Sequence, residues 1–237
     1  MTNAIFNQDP YLKHLKSRIK SIDGDWVELD ETIFYPNGGG QPGDRGEILC
    51  NGNKLAIIDT RKGSSAGVIL HQLETENHDL RIGNEASLYL DWPRRYRHMR
   101  MHTSLHLLCS LIPKGVTGGS VGELKSRLDF DLGDHTVDKE GLTDAINKLV
   151  EQNLNVSTEW ITDQQLESNP ELVRTMSVQP PRGLGRVRMV RVDGVDYQPC
   201  GGTHVGNTGE IGRLKIGKIE NKGKRNRRIH LLLDDQA

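Results

Sequence analysis

Two short segments carry side chains whose types and spacing suit metal chemistry. His102 and His106 stand four residues apart in the run Arg97-His98-Met99-Arg100-Met101-His102-Thr103-Ser104-Leu105-His106-Leu107-Leu108. Cys200 and His204 stand four apart in Pro199-Cys200-Gly201-Gly202-Thr203-His204-Val205. One thiolate together with imidazoles is a donor set that suits Zn²⁺. On a helix, positions i and i+4 lie one turn apart on the same face, so His102 and His106 can point at one ion. Either pair alone is commonly a packed or capped pair. Taken together, each leaves its ligands unexplained without the other. The expectation is one zinc ion per chain, held by His102, His106, Cys200 and His204, if the fold brings the segments together. Gly201 and Gly202 read as residues that free the backbone to wrap tightly around the ion. His98 extends the histidine series backwards and is not assigned as a ligand.

The elements that must position these residues fall into two parts, with a boundary expected at Asp91-Trp92-Pro93. Residues 1–93 read as a small antiparallel β-barrel. Short apolar or alternating strands are expected at 26–29, 54–58, 68–70 and 86–90, separated by turn-forming residues. A short amphipathic stretch at 10–15 is expected to precede them. Phe34 to Gly46 is not ordinary turn chemistry, because five glycines between Gly38 and Gly46 are costly to order. Such a loop suits backbone that must approach a ligand or another segment closely. Gln41 would offer both a donor and an acceptor there. A bulged hairpin linking two strands is the plainer reading.

Residues 94–237 read as α+β, with helices packed on an antiparallel sheet. The histidine helix should end near Ile112, before Pro113 and Gly115. A glycine-rich loop is expected at 115–122, with Thr117 and Ser120 as hydroxyls able to recognise another hydroxyl. Strands are expected at 126–132, 156–161, 187–192, 209–220 and 228–233. A helix is expected over 138–155, capped by Asp138 or Thr136, with Leu142, Ile146, Leu149 and Val150 at helical spacing. A short helix is expected to begin at 162. Arg94, Arg95, Arg97 and Arg100 form a basic run beside the proposed metal helix. Lys222, Lys224, Arg225 and Arg227 make a basic hairpin. Both are phosphate-contact candidates, and a solvated helix face is the plainer reading of the first.

The whole chain sets limits. Its 237 residues can hold one large domain or two smaller ones. A net charge of -1 excludes a globally basic nucleic-acid coat but leaves room for a local basic face. No apolar run is long enough for a membrane helix, and the start lacks the pattern of a signal peptide. The three cysteines, Cys50, Cys109 and Cys200, are odd in number and widely spaced, which argues against a disulfide framework. A reducing cytoplasm is the expected location. No membrane association and no obligate protein partner are expected.

The pairing of His102-x-x-x-His106 with Cys200-Gly201-Gly202-Thr203-His204 resembles the editing domain of alanyl-tRNA synthetase and its free-standing relatives, the AlaX proteins. Gly38-Gly39-Gly40-Gln41-Pro42-Gly43-Asp44 resembles the glycine-rich motif those proteins carry before the editing domain. Asp129-Phe130 and the Arg97–His102 context fit the same pattern. The resemblance spans about residues 26 to 233, and a barrel followed by an editing domain is similar to the medium-length AlaX type. It implies hydrolysis of the ester joining a wrong amino acid, chiefly serine and also glycine, to the acceptor end of tRNA(Ala). The ligand set carries over onto His102, His106, Cys200 and His204. Gln41, with Gly39 and Gly40, would contribute to the substrate pocket. Thr117 falls near the family's serine-recognising hydroxyl, and Ser120 is the alternative in that stretch.

The residues agree with that chemistry. An aminoacyl ester is already activated, so neither ATP nor a covalent nucleophile is needed, and no Ser-His-Asp pattern is evident. A metal can polarise the ester carbonyl or ionise a water. Four protein ligands normally close a zinc site, so either one is displaced or the ion positions the tRNA end while water is activated elsewhere. A hydroxyl-reading site would reject alanine, which leaves polar groups unpaired. Two other readings stand beside this one. A non-catalytic tRNA-binding module with a structural zinc explains the ligands and the basic hairpin but not Gln41 or Thr117. A zinc hydrolase for a small ester would not need the basic residues.

Overall fold

The computed structural model describes residues 1–133, 136–173 and 185–234. The chain divides into two compact units, Met1–Tyr96 and Arg97–Ala237.

In the first unit, β1 (Asn3–Ala4) and β4 (Glu31–Thr32) form a short parallel pair. The other strands are β2 (His14–Asp23), β3 (Trp26–Leu29), β5 (Gly46–Cys50), β6 (Asn53–Lys62), β7 (Ile69–Leu73) and β8 (Glu85–Leu90). They close into a six-stranded antiparallel barrel in the order β2-β3-β7-β6-β5-β8. Closure leaves no open edge for pairing with another chain. Alternate residues point inward, so Ala86, Leu88 and Leu90 of β8 join Val27, Leu29, Ile48, Cys50 and Ile57 in one core. Asn51 and Gly52, both with positive φ, make the two-residue turn between β5 and β6. The stretch expected to be amphipathic at 10–15 instead leads into β2 at His14. Its Leu15, Ser17 and Ile19 point inward and Lys16 and Arg18 outward, a two-residue period that a short window conceals.

The glycine-rich segment is a fitted part of this unit. Gly38 and Gln41 exchange backbone hydrogen bonds of 3.0 Å, closing a turn around Gly39 and Gly40. Both central glycines have positive φ, 58° and 82°, which side-chain-bearing residues rarely adopt. Gly43 and Gly46 are glycines for another reason. A Cβ at either would sit 2.1 Å from a backbone oxygen, that of Thr60 or of Tyr89. The next acidic residue, Asp44, is 1% exposed and ion-paired to Arg95. It also accepts the Tyr35 N–H at 2.6 Å, while Arg95 reaches the carbonyls of Ile33 (2.6 Å) and Pro10 (3.0 Å).

The second unit is mixed α+β. It contains α2 (Lys139–Glu151) and α3 (Asp163–Glu167), and α1 (Trp92–Leu111) supplies its histidines. The strands β9 (Val116–Ser120), β10 (Lys125–Asp131), β14 (Leu214–Asn221) and β15 (Asn226–Leu233) form an antiparallel sheet in the order β14-β15-β10-β9. A separate antiparallel sheet joins β11 (Val156–Thr162), β12 (Arg186–Val192) and β13 (Asp196–Pro199). The single sheet expected from sequence is thus two. Asp138 caps α2 through the N–H groups of Glu140 and Gly141. Asn147 of α2 bonds both the N–H (2.9 Å) and the C=O (2.8 Å) of Leu214, covering the edge strand β14. Thr162 and Gln165 form a capping box for α3.

Two local expectations are corrected. Residues 116–120 are an edge strand, not a loop; Gly118 and Gly119 lower the strand propensity while β10 supplies the pairing. Strand β14 begins at Leu214, not Gly209, because Thr208–Ile211 forms a 3₁₀ turn ended by Gly212 at φ 75°. Among the described residues, no helix is long and apolar enough to cross a membrane.

Candidate metal centre

Helix α1 is buried from His98 to Cys109 except for a partly covered Arg100. Buried polar groups need partners. Ser104 and Ser110 return their hydroxyl protons to the carbonyls of Met101 and Leu107, each at 2.8 Å. Thr103 donates to the Met99 carbonyl at 2.9 Å. Its proton being committed, its oxygen accepts from Nδ1 of His204 at 3.1 Å and from the Val205 N–H at 3.2 Å. His102 and His106 lie one turn apart with ring centroids 5.5 Å apart, and the His204 ring sits 4.5 and 4.6 Å from them.

The cysteine turn is held by its own sheet. β13 pairs with β12, and the Cys200 N–H continues that pairing to the Arg188 carbonyl at 3.0 Å. The guanidinium of Arg188, 5% exposed, bonds the carbonyls of Cys200 and Gly202, both at 2.9 Å. The Gly202 N–H lies 3.4 Å from the Cys200 sulfur. Gly201 does not match the expectation of a tight wrap. Its φ lies outside the left-handed region, and nothing stands within 4 Å of where a Cβ would sit.

The fold brings His102, His106, Cys200 and His204 together, with one donor atom of each lying within 4.8 Å of the others. Cys200 Sγ is 3.5 Å from His102 Nε2 and 3.3 Å from His204 Nε2. A tetrahedral ion with bonds of about 2.3 Å to sulfur and about 2.0 Å to nitrogen would set sulfur and nitrogen roughly 3.5 Å apart. The donor set and its spacing fit zinc. Nδ1 of His106 is 2.8 Å from Oδ2 of Asp196, and the Gln198 side-chain amide donates to the same oxygen at 2.8 Å.

The electrostatics favour ligands ready for a cation. Burial pushes the Cys200 thiol up, but the surrounding imidazoles, His102 and His204 foremost, outweigh it and hold the group well below its usual range. Burial holds His204 down to about 3. Burial also pushes His106 down, yet the hydrogen bond to Asp196 and the neighbouring Cys200 thiolate carry it up to about 10. A metal ion would displace that proton on binding.

Comparison with known proteins settles the family. Residues 187–230 match the model of the threonyl and alanyl tRNA synthetase second additional domain, and residues 4–94 match that of class II (A) tRNA synthetases. The alanyl-tRNA editing protein AlaX-M of Methanosarcina mazei is 35% identical, the match covering 100% of this chain and 98% of the relative. That of Saccharolobus solfataricus is 31% identical over 97% and 98%. The chain belongs to the AlaX-M family. The alanine–tRNA ligase of Pyrococcus abyssi is 33% identical over 92% of this chain but only 24% of the ligase.

Other residues singled out in this AlaX-M sequence are more scattered. The four arginines at the start of α1 do not form one patch. Arg95 is 0% exposed, so it has no surface to offer a phosphate, and its expected tRNA contact is replaced by the ion pair with Asp44. Arg94 donates to the Gly43 carbonyl at 2.7 Å, and Arg100 to the Ile211 carbonyl at 2.7 Å. Arg97 is exposed, 3.5 Å from Glu123. Lys222, Lys224 and Arg225 are exposed on the β14–β15 hairpin, with Arg227 partly so. Lys222 pairs with Glu220 and Arg225 with Asp131. Thr117 and Ser120 are half-buried on β9. The Thr117 hydroxyl lies 2.8 Å from Asn226 Oδ1 and 3.2 Å from the Asp129 carbonyl. Gln41 is fully buried, and His98 is 1% exposed.

Sequence reading missed Thr103, Arg188, Asp196 and Gln198. Asp196 and Gln198 alternate on one face of β13, both buried. A polar–x–polar pair normally marks a solvent face, so only the location of the sheet reveals that this one points inward.

Proposed function

We propose that this chain is a trans-editing deacylase that hydrolyses misacylated tRNA(Ala), chiefly seryl-tRNA(Ala) and secondarily glycyl-tRNA(Ala). The observation that carries this reading is the four-donor cluster of His102, His106, Cys200 and His204 within a chain belonging to AlaX-M along its whole length. A zinc ion bound there would supply a Lewis acid for the ester carbonyl or a positioned charge for the acceptor end. Cys200 contributes the anionic donor, with the Gly202 N–H against its sulfur, and Arg188 holds the turn that presents it. Thr103 leaves Nε2 of His204 as the lone-pair nitrogen. Thr117 has one proton to give and its neighbours Asn226 and Asp129 present acceptors, so its lone pairs can accept from a serine hydroxyl. Alanine has no such donor to offer. Gly39 and Gly40 enter as substrate contacts through the family resemblance, and the fully buried Gln41 enters with them by closing the turn that presents them. Lys222, Lys224, Arg225, Arg227 and Arg97 supply the positive charge a tRNA backbone requires.

A second reading is a tRNA-binding module whose zinc is structural, favoured by the four protein donors, which by themselves close a zinc shell. One assay separates the two. Purified zinc-loaded protein is incubated with seryl- and alanyl-tRNA(Ala), with and without chelator. The editing reading expects release of serine, survival of alanyl-tRNA and loss of activity on chelation. Intact seryl-tRNA(Ala) in the presence of bound protein would establish the module instead. Cys200→Ala should lower zinc content and deacylation together, and retention of both would remove it from the ligand set.

A further inference from the structure

The three histidines of the cluster are not held alike. Nδ1 of His204 meets a neutral hydroxyl, that of Thr103, at 3.1 Å. Nδ1 of His106 meets a carboxylate, Asp196 Oδ2, at 2.8 Å. Asp196 is 8% exposed and stands on β13, four residues before Cys200. Its Oδ2 also receives the Gln198 amide at 2.8 Å. The amide nitrogen of Gln198 also lies 3.1 Å from His106 Nδ1, so amide and imidazole crowd one carboxylate oxygen, and a carboxylate oxygen accepts from both. The Nδ1 proton is therefore the one held against Asp196, and Nε2 is the nitrogen whose proton a metal ion would displace. The same strand thus sets the ligand Cys200 at one end and the tautomer of a second ligand, on a helix 90 residues earlier in the chain, at the other.

We infer that Asp196, braced by Gln198, is a positioning residue for the metal centre: it fixes His106 in the Nδ1–H tautomer and adds negative charge behind that ligand. The inference rests on the reading that the cluster holds zinc, and not on which ester is hydrolysed. A carboxylate behind a ligating imidazole raises its basicity and locks its ring, and losing such a partner typically costs about 10–100-fold in metal affinity. Asp196→Asn keeps the shape while replacing the anion with a neutral amide. That amide can present either its oxygen or its NH₂ to Nδ1, so the tautomer is no longer specified.

The test needs no tRNA. Zinc affinity is measured by competition with a chromophoric chelator on wild-type protein and on Asp196→Asn. The His106 tautomer is read by long-range ¹H–¹⁵N NMR correlation. The expected result is one tight zinc per wild-type chain, His106 with its proton on Nδ1, and zinc binding about 10–100-fold weaker in the variant. Wild type that binds zinc with the His106 proton on Nε2 overturns the inference, and this arm needs no variant to fold. Equal affinity in wild type and variant overturns it as well, while leaving the metal site standing. Wild type that binds no zinc removes the metal reading and the inference with it.

Discussion

Replacing Arg95 with methionine separates a structural arginine from a tRNA-binding one. The guanidinium is 0% exposed and makes an ion pair with Asp44, with Nε at 2.9 Å, plus bonds to the carbonyls of Ile33 and Pro10. Methionine fills much of the same space, so the cavity contribution is small. What remains is an Asp44 carboxylate at 1% exposure holding the Tyr35 N–H, and two carbonyls without this donor. Breaking a buried pair by removing one partner costs about 3–5 kcal/mol, against about 0–1 kcal/mol for an exposed pair. The expected outcome is therefore a loss of about 3–5 kcal/mol, measured as a fall in the denaturant midpoint followed by tryptophan fluorescence. Trp26 and Trp92 report on the unit containing Arg95. Adding Asp44→Asn to Arg95→Met should recover part of the loss, because the uncompensated charge is then gone. Arg95→Lys should recover only part, since an ammonium lacks the planar fork that reaches two carbonyls and a carboxylate together. The reasoning is refuted if Arg95→Met unfolds within about 1 kcal/mol of wild type while its tRNA affinity falls and its salt slope drops by about 1, as a phosphate contact would behave.

Gly43→Ala should destabilise the first unit by more than 1 kcal/mol, since its Cβ would stand 2.1 Å from the Thr60 oxygen and 2.9 Å from the Thr60 nitrogen; a thermal scan checks this, and an unchanged midpoint would remove the packing account of the motif. His71 is buried between the Thr32 hydroxyl (2.7 Å) and the Val27 carbonyl (3.0 Å), and burial lowers it from 6.5 to about 4. Because the folded value lies below the unfolded one, the unfolded chain binds the proton first; stability is fully present above pH 6.5 and lost as pH falls towards 4, by about 3 kcal/mol. Denaturation at pH 7 and pH 4.5 should show that loss in wild type and a smaller one in His71→Gln; equal slopes would count against it. Thr117→Val should cost about 1 kcal/mol in stability, the worth of one hydrogen bond, but slow serine release disproportionately. Equal effects on both would return Thr117 to a purely structural role. Gly201→Ala should leave zinc binding and the melting temperature unchanged, because open space surrounds that position; a drop in zinc affinity would contradict the geometry of the turn.

What the sequence determined by itself is chemistry that depends on local spacing. His102 and His106 share a helix face because 3.6 residues make a turn, and Cys200 and His204 share a short turn because four residues cannot separate them far. Asp138 as a cap and the Asn51-Gly52 turn are local in the same sense. The barrel is legible where alternation runs clean, as in β8, and hidden where β2 turns Ser17 inward and β5 turns Leu49 outward. Only the tertiary structure decided which charges are surface and which are core. Arg95 and Arg97 are two residues apart in one basic run, yet a helix turns them through about 200°, so Arg95 meets Asp44 and Arg97 faces outward. Likewise nothing near Asp196 in the sequence names His106. Their partnership, at a separation of 90 residues, exists because β12 and β13 carry that carboxylate to the inner face of their sheet against α1.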